Sequence, residues 1–111
     1  MAKNDYFVIV YRLLKYLYDC LKKSQRPSMD VLNADYFLID EPYWNYIVVH
    51  LSDEGYIEGV MTFHVSMNPD KQAKISAGMM ITPKGIAYLE ENAAFQRVKE
   101  AVKDIADILP I

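Results

Sequence analysis

The apolar pattern of this chain changes period across a single glycine, and that change narrows what the chain can fold into. Between Glu41 and Glu54, Trp44, Ile47, Val48 and Leu51 recur at helical spacings of three and four. From Ile57 to Val65 the chain is rich in β-branched and aromatic residues and reads as a strand. Gly55 lies between the two patterns. A glycine there can adopt the left-handed conformation that ends a helix, so that Leu51 and Ile57 both turn toward one core while the chain reverses. The helix start is marked as well. Asp40 is the expected N-cap, Ile39 and Trp44 are spaced as a hydrophobic staple, and Glu41 suits the positive end of the helix dipole.

The flanking segments complete the order of elements. A first helix is predicted from Asp5 to Lys23. Its apolar stripe contains Phe7, Val10, Leu14, Leu17 and Leu21, widened by Tyr6, Ile9 and Leu13. Arg12, Lys15, Asp19, Lys22 and Lys23 fall on its opposite face. Ser24 to Pro27 breaks the helix. Ser28 to Asn33 reads as a short second helix with Met29 and Leu32 inward, and Ala34 to Ile39 as a connecting turn. After the first strand, Ser66 to Lys74 reads as a polar hairpin loop and Ile75 to Ile81 as the returning strand. Thr82 is the expected cap of a fourth helix, with Pro83 at its first position, Ile81 and Ile86 as a second staple, and a pause near Asn92. A last helix is expected from Ala93 to Ile108.

Three helices followed by a two-stranded hairpin and C-terminal helices is an α+β arrangement, that of a winged helix-turn-helix, with the third helix as major-groove reader and the hairpin as wing. The expected organisation is one winged helix domain over residues 1–111, with 93–111 a C-terminal helical extension. At 111 residues there is no room for two independent cores, and a hydrophobic fraction of 52% is ample for one. Two stretches carry a further resemblance. One is Leu51-Ser52-Asp53-Glu54-Gly55-Tyr56-Ile57, and the other is Ile81-Thr82-Pro83-Lys84-Gly85-Ile86-Ala87-Tyr88-Leu89. Gly85 in the second would allow a helix to approach the sheet closely. With Tyr43-Trp44-Asn45-Tyr46-Ile47 and Glu58-Gly59-Val60, they make the chain similar to the YjcQ-like family of short winged helix proteins of bacteria and their prophages. The resemblance runs from the first helix to Asn92. It implies the fold and an accessory or regulatory role, and brings no catalytic residues with it.

Charge and chemistry bound the function. The net charge is −3, whereas a nucleic-acid-binding domain usually carries a basic surplus, so any DNA-binding surface must be a local patch. The lone Cys20 can form no internal disulfide and reads as a buried hydrophobe in a reducing compartment. There is no membrane-spanning apolar run and no signal-peptide pattern, so a cytoplasmic location with no membrane partner is expected. Glycine loops, nucleophile elbows and triads are absent, and Glu90 and Glu91 point apart on a helix, so no enzyme activity and no cofactor are expected. His50 and Asp53 share a helix face but fall short of the ligand count of a metal site, and no metal is expected.

Two functions remain open at this stage. Under the first the chain is a DNA-binding transcriptional regulator or prophage accessory protein, contacting DNA through Asn45, Tyr46 and His50 on the third helix and Lys71 and Lys74 in the wing loop. Lys22, Lys23 and Arg26 form another basic cluster. Against it, Glu41 to Glu54 contains no lysine or arginine, and Asp53 and Glu54 would repel phosphate. Under the second the chain is a protein-interaction or assembly module, because a tyrosine-bearing, lysine-free face suits a protein contact. The outward side of the third helix is expected to carry Asn45, Tyr46, Val49, His50 and Asp53. The spacing of Phe95, Val98, Val102, Ile105 and Leu109 is that of a short helical seam, which either packs on the first helix or pairs two subunits as a homodimer.

Overall fold

The structure is a computed structural model and describes residues 6–93. The first helix, α1, spans Tyr6–Lys22. Its buried side is Ile9, Val10, Leu13, Leu14, Leu17 and Cys20. That stripe lies slightly to one side of the expected one. Phe7 and Leu21 are at its margins and are exposed rather than inward. At helical spacing the buried positions 9, 10, 13, 14, 17 and 20 centre on the line of Leu13 and Leu17, and positions 7 and 21 fall to one side of that line. On the solvated face Lys15 and Lys22 flank Asp19 at 3.0 and 3.6 Å. The Lys15 hydrogen bond holds the Asp19 carboxyl below its usual range.

The second helix is displaced from its expected place. Residues 29–33 form turns, and α2 is the single turn Ala34–Phe37, in the segment expected to connect. Asn33 causes the shift. Its amide donates to the carbonyls of Met29 and Asp30 at 3.0 and 2.9 Å, which closes the preceding turn. Its side-chain oxygen accepts from the Tyr36 N–H at 2.7 Å and so caps α2. Leu32 is buried as expected, but Met29 is exposed. Leu38, at φ 59°, ends α2 in the left-handed region.

The third helix, α3, spans Glu41–Asp53. Asp40 is its N-cap, but through its backbone carbonyl and not through its carboxylate. Pro42 at the second helical position has no N–H to offer, which removes one of the two usual targets of a capping side chain. At the other end the prediction holds in detail. Tyr56 N–H bonds the Leu51 carbonyl, Gly55 N–H bonds the Ser52 carbonyl, and Gly55 sits at φ +84°. This is the Schellman closure that the Leu51–Ile57 pattern requires.

The strands form two separate antiparallel pairs. The base consists of β1 (Ile57–Glu58) and β4 (Met80–Ile81), with Ile57 opposite Ile81. The arm consists of β2 (Met61–His64) and β3 (Lys71–Lys74), in the register Met61–Lys74, Thr62–Ala73, Phe63–Gln72, His64–Lys71. The returning strand therefore begins earlier than expected, in Lys71–Lys74, and is broken over 75–79. Between base and arm one side has two residues, Gly59 and Val60, and the other has five, Ile75 to Met79. Such a surplus bends a hairpin. The bend is tightest at Gly59, which has φ +81°, where a side chain would collide with the carbonyl of Gly78.

A fourth helix, α4, occupies residues 83–93, and the pause expected near Asn92 and the last helix beyond it fall at and outside the limit of the described residues. The Asn92 amide donates to the Tyr88 carbonyl at 2.8 Å. Thr82 caps α4 as predicted, its hydroxyl oxygen accepting from the Gly85 N–H at 3.1 Å while the hydroxyl donates to the Gly55 carbonyl. Gly85 lies so close to the Tyr56 carbonyl and the Ile81 side chain that no β-carbon fits there. One core joins α1, α3, the base and α4 through Ile9, Leu13, Ile47, Leu51, Ile57, Met79, Ile81 and Leu89. Phe37 stacks on Trp44 at 5.2 Å over its edge. The result is a mixed α+β fold with two short antiparallel strand pairs. The stripe Phe95, Val98, Val102, Ile105 and Leu109 lies outside the described residues.

Candidate interaction site on the third helix and the arm

The arm lies against α3, and its attachment is polar. Asn45, one turn into the helix, points its amide at the outer edge of β3. The amide nitrogen donates to the Lys71 carbonyl at 2.9 Å, and the amide oxygen accepts from the Ala73 N–H at 2.8 Å. The side chain thus substitutes for a neighbouring strand and satisfies an edge that would otherwise be open. At the last residue of α3, Asp53 receives Lys71 Nζ at 2.9 and 3.2 Å, with both side chains partly exposed. Val49, expected to face outward, is buried at 6% exposure. The helical spacing was read correctly, but the arm covers that face.

Between α3 and the arm runs an open cleft of about 930 Å³, with Glu41, His50, Asp53, His64, Asp70 and Gln72 among its lining residues. Among the described residues no three His, Cys, Asp or Glu side chains come together as metal ligands. Tyr46 and His50 pack ring on ring at 4.1 Å on the outward side of α3. Tyr6 meets Tyr46 at 6.4 Å and Phe7 at 5.4 Å, so an aromatic row continues onto α1. Burial, and then the charge of Glu54, push the Tyr6 phenol above its ordinary value, so it stays neutral at physiological pH.

The residues proposed for DNA contact are therefore dispersed in role. Asn45 has both ends of its amide engaged, and Lys71 is paired with Asp53. Tyr46 and His50 are packed against each other with their rings tilted, and Lys74 is exposed on β3 opposite Met61. In the basic cluster near the end of α1, Lys22, Lys23 and Arg26 are all exposed. Lys22 approaches Asp19 and lies 4.5 Å over the Tyr18 ring. Lys84 donates to the Glu54 carbonyl at 2.7 Å and covers the Tyr56 ring.

The sequence reading passed over the outer face of the arm. Met61 and Phe63 alternate on β2 and are exposed at 69% and 46%, and the row continues through exposed Val65 to Met67. Their alternation was visible, but a period of two says only that one face differs from the other, not that the apolar face is buried. A row of exposed apolar residues of this kind is a feature of contact surfaces.

No helix among the described residues is long and apolar enough to cross a membrane. Residues 11–108 match the family model described as YjcQ protein. No curated protein and no solved structure matches the chain. The chain belongs to the YjcQ family.

Proposed function

We propose, taking membership of that family as the premise, that the chain is a protein-interaction module on a winged helix scaffold, and that the outer face of the arm is its contact surface. The order of α1, α2, α3, hairpin and α4 supports the scaffold, with α3 in the reader's position and the arm in that of the wing. One observation carries the choice of function. Asn45 and Lys71, the side chains best suited to a base edge and a phosphate, are both committed to holding the arm on α3. Apart from Lys74 and His64, the charged and large side chains that α3 and the arm leave exposed are aromatic, acidic and apolar, and this composition fits protein better than nucleic acid.

A titration of mixed-sequence duplex DNA with the full chain tests this reading. No shift is expected at low salt with micromolar protein. Binding that weakens steeply as salt rises would restore the regulator reading, because counterion release is the signature of phosphate contact. A photo-crosslinking side chain at position 63 supplies the positive arm of the test. It is expected to form adducts with protein, while the same group at position 23, away from the arm, forms none. Adducts with nucleic acid at position 63 would overturn the reading.

A further inference from the structure

The direction of every backbone group in the arm follows from the Asn45 contact. Ala73 N–H and Lys71 C=O point at Asn45, away from β2. Alternate residues of a strand point their backbone groups to opposite sides, so Gln72 and Lys74 face β2 and bond their register partners Phe63 and Met61. The backbone groups of Thr62 and His64 then point the other way, along the free edge of β2. Among the described residues no other strand pairs with that edge.

This edge lacks the usual protections. No Asp, Glu, Lys, Arg or Pro occurs from Val60 to Met67, and natural edges are normally blunted with charge or proline. It is also self-complementary. Antiparallel pairing with an identical strand, centred on Phe63, sets Thr62 opposite His64 of the second copy. Each of these residues then both gives and takes a backbone bond. Phe63 meets Phe63 at the non-hydrogen-bonded site, where side chains come closest. Met61 meets Val65, so the exposed apolar rows of the two arms join. Glu58 falls opposite Asn68, and no like charges face each other. A strand of another protein would need to match this alternation, but a second copy matches it by symmetry.

We propose that β2 pairs edge to edge with β2 of a second copy of this chain, making one continuous sheet of the two arms. The inference rests on the interaction reading above and names its partner. A seam one strand long is small beside the roughly 1,200–2,000 Å² of a stable interface, so association depends on concentration.

Amide exchange of the unmodified chain, compared at about 10 µM and about 1 mM, tests the proposal directly. Met61 and Phe63 amides are expected to be protected at both concentrations. Thr62 and His64 amides are expected to gain at least about tenfold protection only at the higher one. Sedimentation should show a monomer–dimer equilibrium over the same range. Thr62→Pro removes an outward N–H and spares the bonds to β3, so it should leave a folded monomer at every concentration, while Thr62→Val should still dimerise. If Thr62→Pro does not fold, the exchange pattern of the unmodified chain decides. A chain that stays monomeric, Thr62 and His64 amides that exchange freely at both concentrations, or protection already complete at the lower one would overturn the pairing. Adducts of position 63 with other proteins alone, from a monomeric chain, would also overturn it yet leave the interaction reading intact. Salt-sensitive DNA binding removes that reading whatever the oligomeric state.

Discussion

The base and the arm are made from the same two stretches of chain, yet they are held by different forces. In the base, Ile57 and Ile81 are almost wholly buried, Met79 is fully buried, and Thr82 and Lys84 tie the pair to the end of α3. In the arm β2 is largely exposed and β3 half-buried; apart from the small apolar contact of Ala73 with the core and the cover it gives Val49, the fastening to α3 is one amide side chain and one partly exposed ion pair. Apolar burial scales with area and is hard to undo locally, whereas a polar fastening is directional and can be released at one residue. The base therefore belongs to the global folding unit, and the arm is an attachment whose position is set separately.

The widest separation between the two should come from Ile81→Ala. Emptying that core site should cost about 2–5 kcal/mol and lower the midpoint of the whole urea transition, base and arm together. A loss confined to the arm would reverse the assignment. Gly59→Ala comes next, at about 2 kcal/mol, because the residue lies at φ +81° against the Gly78 carbonyl. Its mark should be disturbed register in the arm, read from nuclear Overhauser contacts between Met61 and Lys74. An intact register with unchanged stability would show that the bend does not need glycine.

Asn45→Ala should cost about 1–2 kcal/mol, and mostly locally. Ala73 amide exchange should accelerate while the Met80 and Thr82 amides, which bond across the base, keep their protection. Equal acceleration at all three would mean that arm and base open as one. The smallest effect belongs to Lys71→Ala, about 0.5 kcal/mol, which should vanish in high salt because the Asp53 pair is partly exposed. A salt-independent loss would show that Lys71 acts through its aliphatic stem instead.

The same contrast explains which parts of the molecule could be read from the sequence. The Gly55 reversal, the Thr82 cap and the close approach at Gly85 were legible because each depends on a few adjacent residues of restricted chemistry. The inward set Trp44, Ile47, Val48 and Leu51 was legible from spacing alone. β3 was not, because Lys-Gln-Ala-Lys has no strand character of its own. It is a strand because β2 pairs with one side and Asn45 with the other. The burial of Val49 was hidden for the same reason, since the arm that covers it is brought there by contacts distant in sequence. Asn33 shows the local limit. An asparagine can close the turn behind it or open the helix ahead, and here it does both, moving α2 along the chain.

The unequal spacers, two residues on one side and five on the other, have a consequence for engineering. In an unbroken hairpin a one-residue insertion inverts every later side chain, so the tip cannot be redesigned without affecting the root. Here the surplus absorbs the phase difference before it reaches Met79 and Ile81. Gly59 and Ile75 are thus natural splice points, at which a hairpin of another length or specificity could be inserted while the domain beneath keeps its own alignment.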